Sequence, residues 1–348
     1  MKRIGVLTSG GDAPGMNAAV MAVAKAARYH NMTLIGIKRG YNGALNIGTQ
    51  NGEGMAELDL DTVLDIADQP GTYLRTARCL EFLRPDMQQR AANNIREMGI
   101  EGVVVIGGDG SFKGAQALCN LGIPCVGIPG TIDNDLAYTE MTLGYDTAVN
   151  SCVDDIRAIR ATSRSHDRPA VVEVMGRHCG DIALKASAGT GAEICIVPEV
   201  KWSIDEVAQR LSQLIASGNP RATTVVAEGA FDAMEPYNWR HVLREHNMPV
   251  HDDDTFSTRY FTRVLLCLTG CEARTTILGY TQRGRQPSAY DSGFAFEAGV
   301  LAVNLLRAGV GNQVVGVKDG RVFCMPIEPA LQEKREFNYR LYETINRI

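Results

Sequence analysis

The sequence predicts an α/β protein of two α/β/α domains, each a mostly parallel sheet covered by helices, with the two sheets facing an active-site cleft. Three observations predict it. Short apolar runs alternate with helical periodicity in two successive series, the pattern of parallel strands joined by crossover helices. Many of these runs end in a glycine turn carrying an acid or an arginine, and open parallel sheets bind ligands at such ends. At 348 residues the chain exceeds what one simple core needs. Each domain is thus expected to be Rossmann-like, with a boundary near Thr142 to Asp146.

The first series opens with a strand over Ile4–Leu7, a turn from Thr8 to Gly15 and an alanine-rich helix over Met16–Tyr29. A strand, a glycine turn and a helix start offer free N–H groups to a phosphate, or simply make a tight turn. Leu34–Ile37 reads as the second strand, and Gly40–Gly54 as a long glycine and asparagine loop. Leu58–Ala67 and Pro85–Met98 are predicted helices. Between them GTYLRTAR, Gly71–Arg78, carries arginines that either reach a nucleotide phosphate or lie solvated; the residues alone favour neither. Val103–Ser111 reads VVVIGGDGS, a strand ending in glycines with Asp109, where backbone N–H groups near Gly107 and Gly108 approach phosphate oxygens. Ile123–Ile128 is the next strand and runs into Pro129–Asp135, PGTIDND. That turn packs Thr131, Asp133 and Asp135 together, and like charges this close repel unless a cation lies between them. A divalent metal and a proton to be removed account for the pair.

The second series begins with a helix over Thr147–Thr162, apolar at Val149, Val153, Ile156 and Ile159, whose end is basic and polar at Arg160, Arg164, His166 and Arg168. Basic runs at helix ends are usually solvated. Ala170–Met175 is a strand ending at Gly176 and Arg177, and Ala192–Val197 and Thr223–Ala227 repeat the pattern, the latter tipped by Glu228. Ile204, Val207, Leu211, Leu214 and Ile215 lie on one helix face that packs on the sheet. Pro236–Thr269 is less regular and shows no chemistry. Arg274 precedes a strand over Thr276–Tyr280, followed by Gln282, Arg283 and Gly284. A long helix over Tyr290–Arg307 and a hairpin over Val314–Met325, turning at Lys318–Gly320, complete the series.

Composition narrows the function. A hydrophobic share of 45% and a charged share of 22% are those of a globular protein, and a net charge of −5 argues against a general nucleic-acid surface. No apolar run approaches the about 18 residues of a membrane span, and the first residues do not resemble a signal peptide, so a cytoplasmic location is expected. Nine cysteines without a CxxC pair fit reduced thiols, and six histidines without HExxH give a zinc enzyme little support. There is no GxxxxGK[ST] for a P-loop, and the first turn lacks GxGxxG, which argues against a nicotinamide cofactor.

The runs TSGGDAPGMN from Thr8, GGDGS from Gly107, PGTIDND from Pro129, EVMGRHCGD from Glu173, VPEV from Val197 and QRG from Gln282 closely resemble the bacterial-type 6-phosphofructokinase family. They span almost the whole chain in family order. The resemblance implies Mg²⁺-dependent transfer of the ATP γ-phosphate to the C1 hydroxyl of fructose 6-phosphate, a glycolytic reaction. It implies a nucleotide-binding domain of residues 1–144 plus 282–331 and a sugar-phosphate-binding domain of 145–281 plus 332–348. Carried onto this sequence, Asp133 is implied as the general base beside Thr131, Arg177 as the group that stabilises the transferred phosphoryl, and Asp109 and Asp135 as servants of Mg²⁺. Gly11, Arg78, Cys79, Gly108, Asp109, Gly110 and Ser111 are implied at the ATP site. Thr131, Ile132, Asp133, Met175, Gly176, Arg177, Glu228, Tyr280 and Arg283 are implied at the sugar phosphate. Arg168 and Arg274 join them from a neighbouring subunit in the family, which implies a homo-oligomer, dimer or tetramer.

Pyrophosphate-using relatives typically carry aspartate and lysine at the positions of Gly110 and Gly130, where small residues leave room for the nucleotide; glycine at both favours ATP. The sequence departs from the family at Tyr280, commonly a histidine, at Arg285, commonly a glycine, and at Met21, often an effector-site arginine. A tyrosine brings no positive charge to the sugar phosphate. The departures at Tyr280 and Arg285 put acceptor choice in question, and that at Met21 puts regulation by nucleotides or phosphoenolpyruvate in question. A pyrophosphate-dependent phosphotransferase, or a catalytically silent regulatory subunit of the same fold, are the alternative readings.

Overall fold

A computed structural model describes residues 1–48 and 53–348. In chain order, β1 (Arg3–Thr8) leads to α1 (Met16–Tyr29), β2 (Thr33–Ile37), the short α2 (Tyr41–Ala44) and β3 (Met55–Glu57). Then come α3 (Leu60–Asp65), α4 (Pro85–Glu97), β4 (Val103–Gly107), α5 (Asp109–Asn120), β5 (Cys125–Pro129) and α6 (Tyr145–His166). β6 (Ala170–Val174), α7 (Asp181–Thr190), β7 (Ile194–Ile196), α8 (Ile204–Ala216) and β8 (Thr223–Ala227) follow. The chain continues with α9 (Trp239–Glu245), α10 (Thr258–Thr269), β9 (Arg274–Ile277), α11 (Ala289–Arg307), β10 (Gln313–Lys318), β11 (Arg321–Pro326), α12 (Ile327–Gln332) and α13 (Tyr339–Arg347). Two compact units result: Met1–Ala148 with Arg283–Glu336, and Val149–Gln282 with Phe337–Ile348.

The first unit is built on a seven-stranded sheet in the order β11-β10-β5-β4-β1-β2-β3. Its five inner strands are parallel, and β3 and β11 pair antiparallel at the two edges. Strand alternation decides which residues meet which layer. Leu7, Ile37, Val105 and Cys125 turn toward Ala91 and Ile95 of α4, Phe112 and Leu118 of α5, and Ile327 of α12, forming one buried cluster. Helices α1 and α11 run together, and small residues permit it. A Cβ on Gly299 would lie 2.6 Å from that of Ala22.

The second unit has a four-stranded parallel sheet, β7-β8-β6-β9. Helix α8 starts at Ser203, whose side chain accepts the N–H of Glu206, and buries Ile204, Val207, Leu211 and Leu214. The irregular stretch from Pro236 to Thr269 is a packing element. Rings of Trp202, Phe231, Phe256, Phe261 and Trp239 meet pairwise at 5.2 to 6.1 Å, and the Arg240 guanidinium lies 4.4 Å over Trp239.

Some boundaries differ from the sequence pattern. The last strand of the second unit, β9, begins at Arg274, whose N–H donates to the Pro169 carbonyl. It ends at Ile277, because Gly279 at φ +53° turns the chain into a 3₁₀ helix over Gly279–Gln282. Tyr280 therefore sits on a turn and is 81% exposed. Part of the predicted loop Gly40–Gly54 is the helix α2, and residues 49–52 of it lie outside the described residues.

Candidate active site

In the first unit, β1, β4 and β5 are neighbours, with Thr8 beside Ile106 and Gly107 beside Pro129. Their three terminal turns, TSGGDAPG, GGDGS and PGTIDND, therefore lie side by side at one edge of the sheet. The ladder continues past the strands through Ser9 N–H to the Ile106 carbonyl at 2.9 Å and Gly130 N–H to the Gly107 carbonyl at 2.9 Å. Gly107 has to be glycine, because a Cβ there would stand 2.4 Å from Ser111 Oγ and 2.6 Å from the Ser9 carbonyl oxygen.

Asp109 is the first residue of α5, where the helix dipole favours a carboxylate, and its Oδ2 receives Lys113 Nζ at 3.2 Å. Gly108 and Asp109 are half-buried, Gly110 is exposed and Ser111 is buried. A Cβ on Gly110 would meet nothing within 4 Å, whereas one on Gly130 would meet Ile106 Cγ2 at 3.0 Å, Met16 Cε at 3.1 Å and Gly107 N at 3.2 Å.

In the next turn Ile132 and Asp133 are buried, Thr131 is half-buried and Asp135 is exposed. The Asp133 N–H donates to Thr131 Oγ1 at 3.2 Å. Asn134 takes the left-handed conformation, φ +53°, and its Oδ1 accepts the Thr142 N–H at 3.0 Å. Thr142 Oγ1 in turn donates to the Thr131 carbonyl at 2.6 Å. Nothing in the residue pattern assigned a role to Asn134, which lies within the acidic turn, or to Thr142, which follows it by seven residues.

The arginine-bearing segment Gly71–Arg78 docks on the N-terminal turn through small polar side chains. Thr8 Oγ1 lies 2.8 Å from Thr72 Oγ1, Thr76 Oγ1 donates to the Gly10 carbonyl at 2.8 Å, and the buried Asn17 accepts the Tyr73 N–H at 2.7 Å. Arg78 is exposed, and burial pushes the half-buried Cys79 thiol up. Arg283 belongs to this unit too. Its Nη1 donates to the Asp12 carbonyl at 2.6 Å and would stand 3.1 Å from a Cβ on Gly11.

In the second unit, β6 runs into Met175, Gly176 and Arg177. Gly176 has φ +142° and Arg177 φ +57°, and the Arg177 N–H donates to Glu228 Oε1 at 2.7 Å. Met175 N–H donates to Oε1 of the buried Gln282 at 3.0 Å, and Gly180 N–H to Glu199 Oε1 at 2.8 Å. Glu173 is half-buried. Burial pushes its carboxyl up, the Thr258 hydroxyl bonded to it pulls down, and the Glu228 charge adds to the rise. Arg168 and Arg274 are brought together by a residue that the sequence did not point to: Glu272 takes Arg168 Nη2 at 3.5 Å on one oxygen and Arg274 Nη2 at 2.8 Å on the other.

Among the described residues no three His, Cys, Asp or Glu side chains form a metal-ion set, and no helix is long and apolar enough to cross a membrane.

Comparison with known proteins adds the family. The family model for phosphofructokinase matches residues 3–306. The chain is similar to ATP-dependent 6-phosphofructokinase 1 of Clostridium perfringens, 44% identical over 348 residues, covering 100% of this chain and 99% of that protein. It is likewise similar to the ATP-dependent 6-phosphofructokinase of Clostridium acetobutylicum, at 43% identity over 348 residues and with the same coverage. Among solved structures, phosphofructokinase from Saccharomyces cerevisiae superposes with a TM-score of 0.83 at 29% identity, over 99% of this chain and 50% of that one, so this chain spans about half the yeast chain's length. With its whole length matched at this identity, and the glycine and acidic turns in place, the chain belongs to the phosphofructokinase family.

Proposed function

We propose that this protein is an ATP-dependent 6-phosphofructokinase, transferring the γ-phosphoryl of ATP to the C1 hydroxyl of fructose 6-phosphate. The observation that carries the reading is the adjacency of β4 and β5, which sets the GGDGS turn of Asp109 beside the PGTIDND turn of Asp133 and Asp135. Full-length similarity to enzymes of that name supports the donor and the acceptor.

Phosphoryl transfer asks a protein mainly for positioning and charge neutralisation. In this reading the carboxylate of Asp133 accepts the proton of the C1 hydroxyl as its oxygen bonds to the γ-phosphorus and the bond to ADP breaks. Thr131 orders that turn through its bond from the Asp133 N–H. Gly11, Arg78, Cys79 and Gly108 to Ser111 form the nucleotide subsite, with open space at Gly110 leaving room for the donor. Ile132, Met175, Gly176, Glu228, Tyr280 and Arg283 serve the sugar phosphate, and Arg177 offsets charge on the phosphoryl.

Asp109 and Asp135 would hold Mg²⁺. Two accessible carboxylates suit that ion, which keeps waters and takes phosphate oxygens as further ligands. When bound it neutralises charge on the transferred phosphates.

Arg168 and Arg274, already gathered by Glu272, are proposed to meet the sugar phosphate of a neighbouring subunit in a homo-oligomer. A coupled assay with ATP and with pyrophosphate, over several sugar phosphates, tests the reading. Turnover of fructose 6-phosphate with ATP is expected; turnover with pyrophosphate alone would reverse the donor, and none with either would favour a silent subunit.

A further inference from the structure

We propose that Asp291, on α11, is a positioning residue that holds the catalytic turn in place; the inference rests on the phosphoryl-transfer reading above. Its carboxylate is fully buried. Oδ1 accepts the Gly144 N–H at 2.8 Å, and Oδ2 accepts both the Thr147 N–H at 2.8 Å and Thr147 Oγ1 at 2.5 Å. Burial pushes the Asp291 carboxyl up, and these donors pull the other way. The arrangement ties two helix starts together, since Ser288 caps α11 by accepting the Asp291 N–H while its own hydroxyl donates to Asp146 in the first turn of α6.

What makes this more than a helix cap is the segment it secures. Leu143 N–H donates to the Pro129 carbonyl at 2.7 Å, and Thr142 holds both Asn134 and the Thr131 carbonyl. Residues 142–147 are thus the floor on which Pro129 to Asn134 rests. The same segment touches the N-terminal turn: Gly144, at φ +95°, packs so closely that a Cβ would lie 2.8 Å from Ala13 Cβ, and one on Gly15 would lie 2.7 Å from Leu143 Cδ1. Asp291 therefore fixes the distance between two of the three turns, although it is bonded to neither. A misplacement of a reacting group by about 1 Å can cost on the order of 100-fold in rate.

Two substitutions test this on the intact protein. Asp291→Asn keeps the volume but turns an amide N–H₂ toward backbone donors; Thr147→Val removes one hydroxyl, and Thr147→Ser restores it. For Asp291→Asn and Thr147→Val, kcat is expected to fall by about 10-fold or more with KM for ATP and fructose 6-phosphate within about twofold, and Thr147→Ser to return kcat to the parent level. Hydrogen exchange followed by mass spectrometry should show faster exchange over 129–135 and 142–147 and no change in β1. Unchanged kcat in both variants, or exchange that rises evenly across the unit, would overturn the proposal. Should Asp291→Asn fail to fold, Thr147→Val carries the test by itself. A parent inactive with ATP would sink the functional reading, and the exchange pattern would still judge the coupling between Asp291 and the turn.

Discussion

Glu228 and Arg177 are joined through backbone rather than through charge: Glu228 Oε1 accepts the Arg177 N–H at 2.7 Å, and the guanidinium is left out of the bond. The residue beside the acid completes the restraint, because a Cβ on Gly229 would come 2.0 Å from the Arg177 carbonyl oxygen. Arg177 is so held at φ +57°, in the left-handed region that a side chain seldom adopts.

Gly229→Ala should therefore loosen the Arg177 turn. A backbone oxygen cannot swing aside as a side chain can, and overpacking of this kind costs about 1–3 kcal/mol. A lower melting temperature and a raised KM for fructose 6-phosphate are expected. A melting curve and a saturation curve that both match the parent would contradict the steric argument.

Asp133→Ala removes the proposed base from a turn whose other bonds remain. Loss of a positioned base lowers kcat by roughly 10²–10⁴-fold. The melting temperature is expected to stay near the parent's, so thermal denaturation alongside steady-state kinetics separates chemistry from folding. Turnover at the parent rate would refute the assignment.

Gly110 and Gly130 differ in what they tolerate. Gly110→Asp places its side chain in open space and should fold as the parent does, yet it introduces a negative charge next to Asp109 where nucleotide phosphates are proposed to bind. Weaker ATP binding, by about 10-fold or more, is expected in a titration. Gly130→Lys has to displace Ile106, Met16 or the Gly107 amide, and is expected to lower stability as well.

The Glu173 carboxyl is pushed up mainly by burial, so between its unfolded and folded values the folded chain binds more protons than the unfolded one. Stability from this group consequently falls as pH rises through that window. Glu173→Gln removes the dependence while leaving an oxygen to accept from Thr258. Its melting temperature should exceed the parent's by more at about pH 8 than at about pH 5. An advantage that grows toward acid pH would reverse the sign and reject the account.

Glu272 occupies both proposed phosphate-seeking arginines, Arg168 and Arg274. Glu272→Gln releases them and is expected to lower KM for fructose 6-phosphate with kcat little changed. Raised KM instead would mean that the carboxylate's main work is to orient the two guanidiniums.

The architecture and the chemical turns were legible in the sequence, because both are written in local pattern. Apolar runs of strand length alternating with helical periodicity specify parallel sheets, and GGDGS and PGTIDND reveal themselves as glycine and acid at strand ends. Boundaries were less legible where one residue redirected the backbone, as Gly279 does before Tyr280. The stretch from Pro236 to Thr269 carried no readable signal, since its order comes from aromatic rings contributed by segments as far apart as Trp202 and Phe261.

By itself the sequence determined which acids and glycines stand at the strand ends, and through them the family. Only the tertiary structure decided that Asp291, over 140 residues from Gly144, would be the buried acceptor of its N–H, and that Glu272 would gather Arg168 and Arg274. Such pairings leave no periodicity in the chain, because a hydrogen bond depends on where folding brings two atoms and not on how far apart their residues lie in sequence.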